Sequence, residues 1–181
     1  MNTKDADMQP PESFVIGSMP GYSPGISRLV GMMTYARWTT LRAIEGLTAP
    51  QLDHLHDQSS NTIGALLTHI ASVEVVYQRL TFAGRAISSP EYDGEWSIAL
   101  QLGYRARDAL RGKPLTHYVQ SLEVVRAFTL EELSHHDDRW LDQTTAFWNG
   151  RQANNYFKWF HVFEDELNHR GQIRWLKQRL P

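Results

Sequence analysis

The chain has 181 residues, a formal net charge of −2 at pH 7 and no cysteine. This length suits one domain with a single core, and the lack of cysteine excludes disulfides, iron–sulfur clusters and Cys-based zinc sites, so a metal would need His, Asp or Glu ligands. The 18 Lys and Arg are balanced by 20 Asp and Glu, which disfavours nucleic-acid binding. No apolar run is long enough to cross a bilayer, and the polar first residues do not resemble a secretory signal. We therefore expect a cytoplasmic protein that binds neither nucleic acid nor membrane.

The first 23 residues predict an extended arm, because they are interrupted by prolines and glycines and have no sustained apolar period. The single domain is then expected over residues 24–181. A first helix is predicted from Ser23–Pro24 to about Gly46, where a hydroxyl cap precedes a proline in the first turn. Its inward positions follow helical spacing: Ile26, Leu29, Val30, Met33, Arg37, Leu41 and Ile44. Thr48–Gln51 resembles a capping box that opens a short helical turn.

Three further long helices follow. The second is predicted from Ile63 to about Gly84, the third from Pro114, and the fourth from about Ala153 to Leu180, after a tight turn at Asn149–Gly150. A long connection over residues 85–113 separates the second and third helices and has room for a short helix over Trp96–Ala109. A connection of this length favours two parallel neighbours.

These patterns predict an all-α protein. No segment alternates long enough to indicate a strand, and four amphipathic helices with one long crossover are typical of a four-helix bundle. The predicted order of directions is up-down-down-up.

Two of the helices carry residues that could bind a metal. His69 lies among apolar residues of the second helix, and Asp165 and His169 share the inner face of the fourth helix with Val162. A carboxylate and an imidazole one turn apart can chelate one ion, and His69 could complete the site from the facing helix. The residues also allow a hydrogen-bonded core histidine with an Asp–His ion pair and no metal.

Three segments resemble the DinB/YfiT-like family over about residues 26–180. They are Tyr35–Trp38 in the first helix, Thr62–Ile70 in the second and Asp165–Ile173 in the fourth. The resemblance implies a four-helix bundle, usually a homodimer, that holds one divalent metal such as zinc or nickel. By position, the implied ligands are His69, Asp165 and His169.

The ligand pattern departs from the commonest one in this family, which has His where Asp165 stands. Members that resemble thiol-dependent isomerases place Glu there, so a carboxylate is compatible with a metal site. Asn168 likewise replaces a frequent His, and His161, one turn before Asp165, could complete the ligand set.

The resemblance implies a mononuclear metal-dependent thiol S-transferase or isomerase, or a hydrolase, with a low-molecular-weight thiol as a possible cofactor. Three protein ligands leave coordination positions for water, thiolate or substrate. No general base is assigned, although His161 and Glu166 lie nearby in the sequence. The competing hypothesis is a non-enzymatic scaffold or binding module whose metal site has drifted.

Two Glu-x-x-His strings, Glu132–His135 and Glu166–His169, are of the kind that binds two irons in di-iron bundles. Their placement on the third and fourth helices does not suit such a site, because the second helix offers His69 in place of a carboxylate. We expect Glu132 and His135 to form the solvated end of the third helix.

Aromatic side chains of the fourth helix add apolar surface away from the Asp165 face. These are Trp159, Phe160, Phe163 and Trp175. A symmetric dimer would cover such a surface, so a homodimer is expected. The alternative is that residues 85–113 cover it within one chain.

Overall fold

The computed structural model describes residues 13–85 and 94–181. This part of the chain is mainly α-helical, as predicted. Its α-helices are α1 Pro24–Ile44, α2 Ala49–Leu52, α3 Ile63–Thr81, α4 Glu95–Gln101, α5 Gly103–Ala109, α6 Leu115–Ser134, α7 Asp138–Asp142 and α8 Asn155–Lys177. None of the helices in the described ranges is both long and apolar enough to cross a bilayer.

Three of the long helices, α1, α3 and α8, begin directly after a polar residue. Pro24 stands in the first turn of α1, as predicted, but the Ser23 hydroxyl does not cap the helix and donates to the Asp138 carboxylate instead. The Thr62 hydroxyl accepts a hydrogen bond from the backbone of the first turn of α3 at 3.2 Å, and the side-chain Oδ1 of Asn154 does the same for α8 at 2.8 Å. Such caps satisfy backbone N–H groups that have no partner within the helix.

The prediction that the chain has no strand was wrong. Thr144–Ala146 (β1) and Gln152–Asn154 (β2) pair as an antiparallel hairpin, with Thr145 opposite Ala153. Three-residue strands are too short to produce a readable alternation. The predicted turn at Asn149–Gly150 is present between them, with φ of 54° and 74°. Because Ala153 pairs in the hairpin, α8 begins two residues later than predicted.

The described part of the crossover contains two short helices where one was predicted. The helical conformation is interrupted between α4 and α5 at Leu102, whose φ is 51°. The helix α4 packs against α3. Residues 86–93 of the crossover and residues 1–12 of the predicted arm lie outside the described residues. Residues 13–23 contain neither helix nor strand.

The core lies between the four long helices, with contacts between α1 and α8, α3 and α6, and α3 and α8. The predicted inward residues of α1 are all buried. On α6, the buried face includes Tyr118, Arg126 and Thr129, whereas Leu115 and Val119 are only partly buried.

The predicted aromatic surface of α8 is smaller than expected. Trp159 is completely buried, and its indole N–H donates to the Thr81 hydroxyl at 3.2 Å. Phe163 is also buried, whereas Phe160 and Trp175 each remain 43% exposed. The prediction was therefore wrong for Trp159 and Phe163, because helical spacing alone does not say which other element covers a face.

Candidate metal centre

The three predicted ligands lie together between α3 and α8. One possible ligand atom each from His69, Asp165 and His169 can be chosen so that all lie within 4.8 Å of one another. The Nε2 atom of His69 is 3.6 Å from Asp165 Oδ2, and that of His169 is 3.4 Å from Asp165 Oδ1. The two imidazole rings meet edge to face, with centroids 4.6 Å apart.

The positions of the three residues on α3 and α8 explain why their side chains lie close together. Asp165 and His169 are four residues apart on α8, so their side chains lie on one face of the helix. His69 belongs to the stripe of α3 that packs against α8. All three side chains are no more than 16% exposed, so they meet in a largely water-excluded position.

A third element orients His69. Its Nδ1 donates a hydrogen bond of 2.9 Å to the carbonyl oxygen of Ala99 on α4. Because a carbonyl oxygen can only accept, this contact places a proton on Nδ1, and in the neutral ring the lone pair is then on Nε2, which faces Asp165. The crossover therefore supplies an outer contact of the kind that usually supports a metal-binding histidine.

The trio fits a divalent cation. Within the described residues, the buried Asp165 Oδ2 has no hydrogen-bond partner, and neither does the buried Nδ1 of His169. A buried carboxylate oxygen needs compensation, which a cation supplies. Two ligand atoms each about 2.1 Å from a tetrahedral ion are about 3.4 Å apart, close to the observed Asp165–imidazole distances.

The electrostatics keep Asp165 ionised. Burial acts to raise its pKa, but the neighbouring His169 and His69 more than offset this, and the pKa lies below its ordinary value. The Tyr77 hydroxyl has its pKa raised by burial and by the charge of Asp165. Asp165 is therefore an anionic ligand candidate, and Tyr77 remains a neutral phenol.

His161 is not part of this trio. Its Nδ1 lies 3.1 Å from Glu164 Oε2, and its ring packs against Tyr77 and Trp148 at centroid distances of 5.8 and 4.9 Å. Trp148 belongs to the turn between β1 and β2. The hairpin thus covers the side of α8 one turn before Asp165.

Glu166, the other side chain considered near the site, faces away from it. Its carboxylate forms salt bridges with Arg37 of α1 and Arg126 of α6, and it is 1% exposed. A carboxylate held in this way is not available as a general base.

A buried network of four charges was not predicted. Glu74 of α3 joins Arg37, Arg126 and Glu166 in the core. Burial acts to raise the pKa of Glu74, but Arg126 and Arg37 outweigh it and lower the pKa to about 2. The available signal was Arg37 on the inner face of the first helix, since a charge in the core requires a partner.

The di-iron alternative is not supported. His135 is exposed just beyond the end of α6 and pairs with Glu131 at 3.2 Å, while Glu166 is occupied by arginines. The expected solvated end of the third helix is thus seen at His135. His117 of α6 is also not part of the trio: its Nε2 lies 3.9 Å from Oε1 of Glu95 on α4.

Surface cavities adjoin α8 without including the trio. One of about 550 Å³ is bordered by the hairpin and Phe157, and one of about 460 Å³ by Asn168, Gln172 and Trp175. Trp148, which borders the first cavity, contacts His161, one helical turn before Asp165.

No curated protein matches the chain. The family model described as mycothiol-S-transferase matches residues 28–180, a span that contains His69, Asp165 and His169. The sequence resemblance is thereby confirmed: the chain belongs to the mycothiol-S-transferase family, whose members are DinB/YfiT-like proteins.

Proposed function

We propose that this protein is a metal-dependent S-transferase that uses a low-molecular-weight thiol, of which mycothiol in the family's name is an example. His69, Asp165 and His169 hold one divalent ion, zinc or nickel. The observation that carries the proposal is the buried carboxylate of Asp165, which lies between two imidazoles and whose Oδ2 has no hydrogen-bond partner among the described residues.

The ion would supply one kind of chemistry: lowering the pKa of a coordinated thiol so that a thiolate is present at neutral pH. The chain's own residues prepare this position. Asp165 contributes a negative charge, the Ala99 carbonyl fixes the tautomer of His69, and Tyr77 offers a phenolic O–H as a hydrogen-bond donor. Three protein ligands leave room for an exchangeable thiol.

The hairpin cavity is the proposed position of the electrophilic acceptor. Its walls include Phe147, Trp148 and Phe157, so it suits an apolar acceptor. Trp148 contacts His161, which lies one helical turn from Asp165 on α8. An acceptor seated there would lie on the side of His161, whereas α4 contacts the site through Ala99.

The long helices are proposed to form an up-down-down-up four-helix bundle. Two contacts support a parallel course of α3 and α6, which the crossover joins: Gly64 lies against Tyr118 near both helix starts, and Glu74 meets Arg126 further along both helices. A cytoplasmic location and a homodimer complete the proposal.

Elemental analysis of protein purified without a metal-affinity tag tests the ligand set. We expect about one divalent ion per chain, lost in His69→Ala, Asp165→Ala and His169→Ala because each removes one of three ligands. The control variants His54→Ala and His117→Ala should retain it. An unchanged metal content in His69→Ala would contradict the assignment.

A thiol titration of cobalt-loaded protein separates the transferase from its alternatives. We expect a thiolate-to-cobalt charge-transfer band that is absent in His169→Ala. A metal site that gives no band at millimolar thiol would favour metal-dependent hydrolysis, and a chain that binds no metal would favour a scaffold with a drifted site.

A further inference from the structure

The buried charges lie on all four long helices. Arg37 is on α1, Glu74 on α3, Arg126 on α6 and Glu166 on α8, and none is more than 7% exposed. Two positive and two negative charges make the group formally neutral. The same two helices that carry the carboxylates, α3 and α8, carry the three candidate metal ligands.

Each arginine joins both carboxylates. Arg37 Nη2 lies 3.0 Å from Glu74 Oε2, and its Nε lies 2.8 Å from Glu166 Oε1. Arg126 Nε lies 2.7 Å from Glu74 Oε1, and its Nη2 lies 3.2 Å from Glu166 Oε2. The helices α3 and α8 are thus connected twice through guanidinium groups.

The arginines also exchange backbone contacts between their own helices. Arg37 of α1 donates to the Leu122 carbonyl of α6 at 2.6 Å, and Arg126 of α6 donates to the Met33 carbonyl of α1 at 2.9 Å. The Thr129 hydroxyl donates to Glu74 at 2.6 Å. These contacts fix the positions of the two guanidinium groups and of the Glu74 carboxylate in the core.

The network lies close to the ligands along both helices. Glu166 follows Asp165 directly, and Glu74 stands five residues after His69, about 7.5 Å along the axis of α3. Apolar contacts tolerate small slides between helices, whereas charged hydrogen bonds lose strength steeply with distance and angle. A slide of α3 along α8 would break these bonds and change the distance of 3.6 Å between His69 and Asp165.

We propose that Arg37, Glu74, Arg126 and Glu166 are positioning residues of the metal centre, which hold α3 and α8 at the register that brings His69 to Asp165 and His169. This inference rests on the proposed metal site. The network then does more than stabilise the fold, because apolar residues of similar volume would fill the same space without setting the register of α3 and α8. A metal site needs its ligands held to within about half an ångström.

Cobalt binding by Arg126→Lys and Arg37→Lys tests this role. Lysine keeps the positive charge, so the net charge of the network near Asp165 is unchanged, but it lacks the planar fork that joins two carboxylates. We expect a loss of cobalt affinity of about tenfold or more, with a shifted cobalt d–d spectrum. The matched control is Leu133→Ala, which removes buried volume from the same helix as Arg126 without touching the network.

Far-UV circular dichroism first establishes that each variant is folded. If Arg126→Lys does not fold, Arg37→Lys gives the same comparison from the opposite helix. Cobalt affinity and spectrum equal to those of the wild type in either folded variant would overturn the positioning role, as would an equal loss of affinity in Leu133→Ala. Wild-type protein that binds no cobalt would instead refute the metal site itself, and the positioning role with it.

Discussion

Asp165 and Glu166 are neighbours on α8, yet their carboxylates face different partners. Asp165 lies between two imidazoles, with an oxygen that has no hydrogen-bond partner among the described residues, and Glu166 is held by two guanidinium groups. The step of 100° between successive helical residues turns one carboxylate towards the proposed ion and the other towards the core network. One turn of α8 thus provides both a candidate metal ligand, Asp165, and a member of the buried charge network, Glu166.

Acid should destabilise the protein through Glu74. Its pKa is lowered to about 2, so its ionised form stabilises the fold above the ordinary pKa, and this stabilisation is lost as the pH falls from about 5 towards 2. The contribution is about 3 kcal/mol. Urea denaturation at a series of pH values should show this loss in the wild type and a flatter profile in Glu74→Gln.

The exposed Glu131 supplies the control for that measurement, because Glu131→Gln removes a carboxyl group that lies at the surface of α6. Its pH profile should match that of the wild type. A Glu74→Gln variant with the full wild-type acid dependence would contradict the role of Glu74.

Two helical glycines should respond in opposite ways to alanine. A Cβ at Gly64 would lie 2.5 Å from the Tyr118 hydroxyl oxygen, whereas a Cβ at Gly31 meets no atom within 4 Å. We expect Gly64→Ala to destabilise the fold by about 1–3 kcal/mol through overpacking. Gly31→Ala should stabilise it by about 0.5–1 kcal/mol, because alanine has the higher helix propensity. Urea denaturation of both variants measures the difference, and equal effects would show that the contact with Tyr118 yields without cost.

His161→Ala should leave the metal content unchanged. The imidazole pairs with Glu164 and packs against Trp148, outside the ligand trio. Elemental analysis beside His169→Ala gives the comparison. A loss of metal as complete as that in His169→Ala would make His161 a ligand.

Light scattering should give the mass of a homodimer. Phe157 and Phe160 are exposed by 44% and 43% on α8, with ring centroids 6.2 Å apart, and a second copy would cover them. We expect Phe160→Glu to shift the mass to that of a monomer, because a charge would be buried at the interface. A wild-type mass equal to that of a monomer at every concentration would contradict the dimer.

Most of the helical framework was predictable from the sequence because helix signals are local. Apolar spacing located α1 and α3. The hairpin of β1 and β2 was missed because its strands are only three residues long. The burial of Trp159 was also missed, since it depends on where Thr81 and its neighbours lie in space.

The candidate ligands could be named from the sequence since two of them, Asp165 and His169, share a helix face by spacing alone, and His69 stood out as a polar residue in an apolar stripe. Their partners required the packed structure. The carbonyl of Ala99, and the pairing of Glu74 with Arg126, join residues 30 and 52 positions apart. Helical periodicity states which way a side chain points along its own helix, but which group it meets depends on how the helices pack against one another.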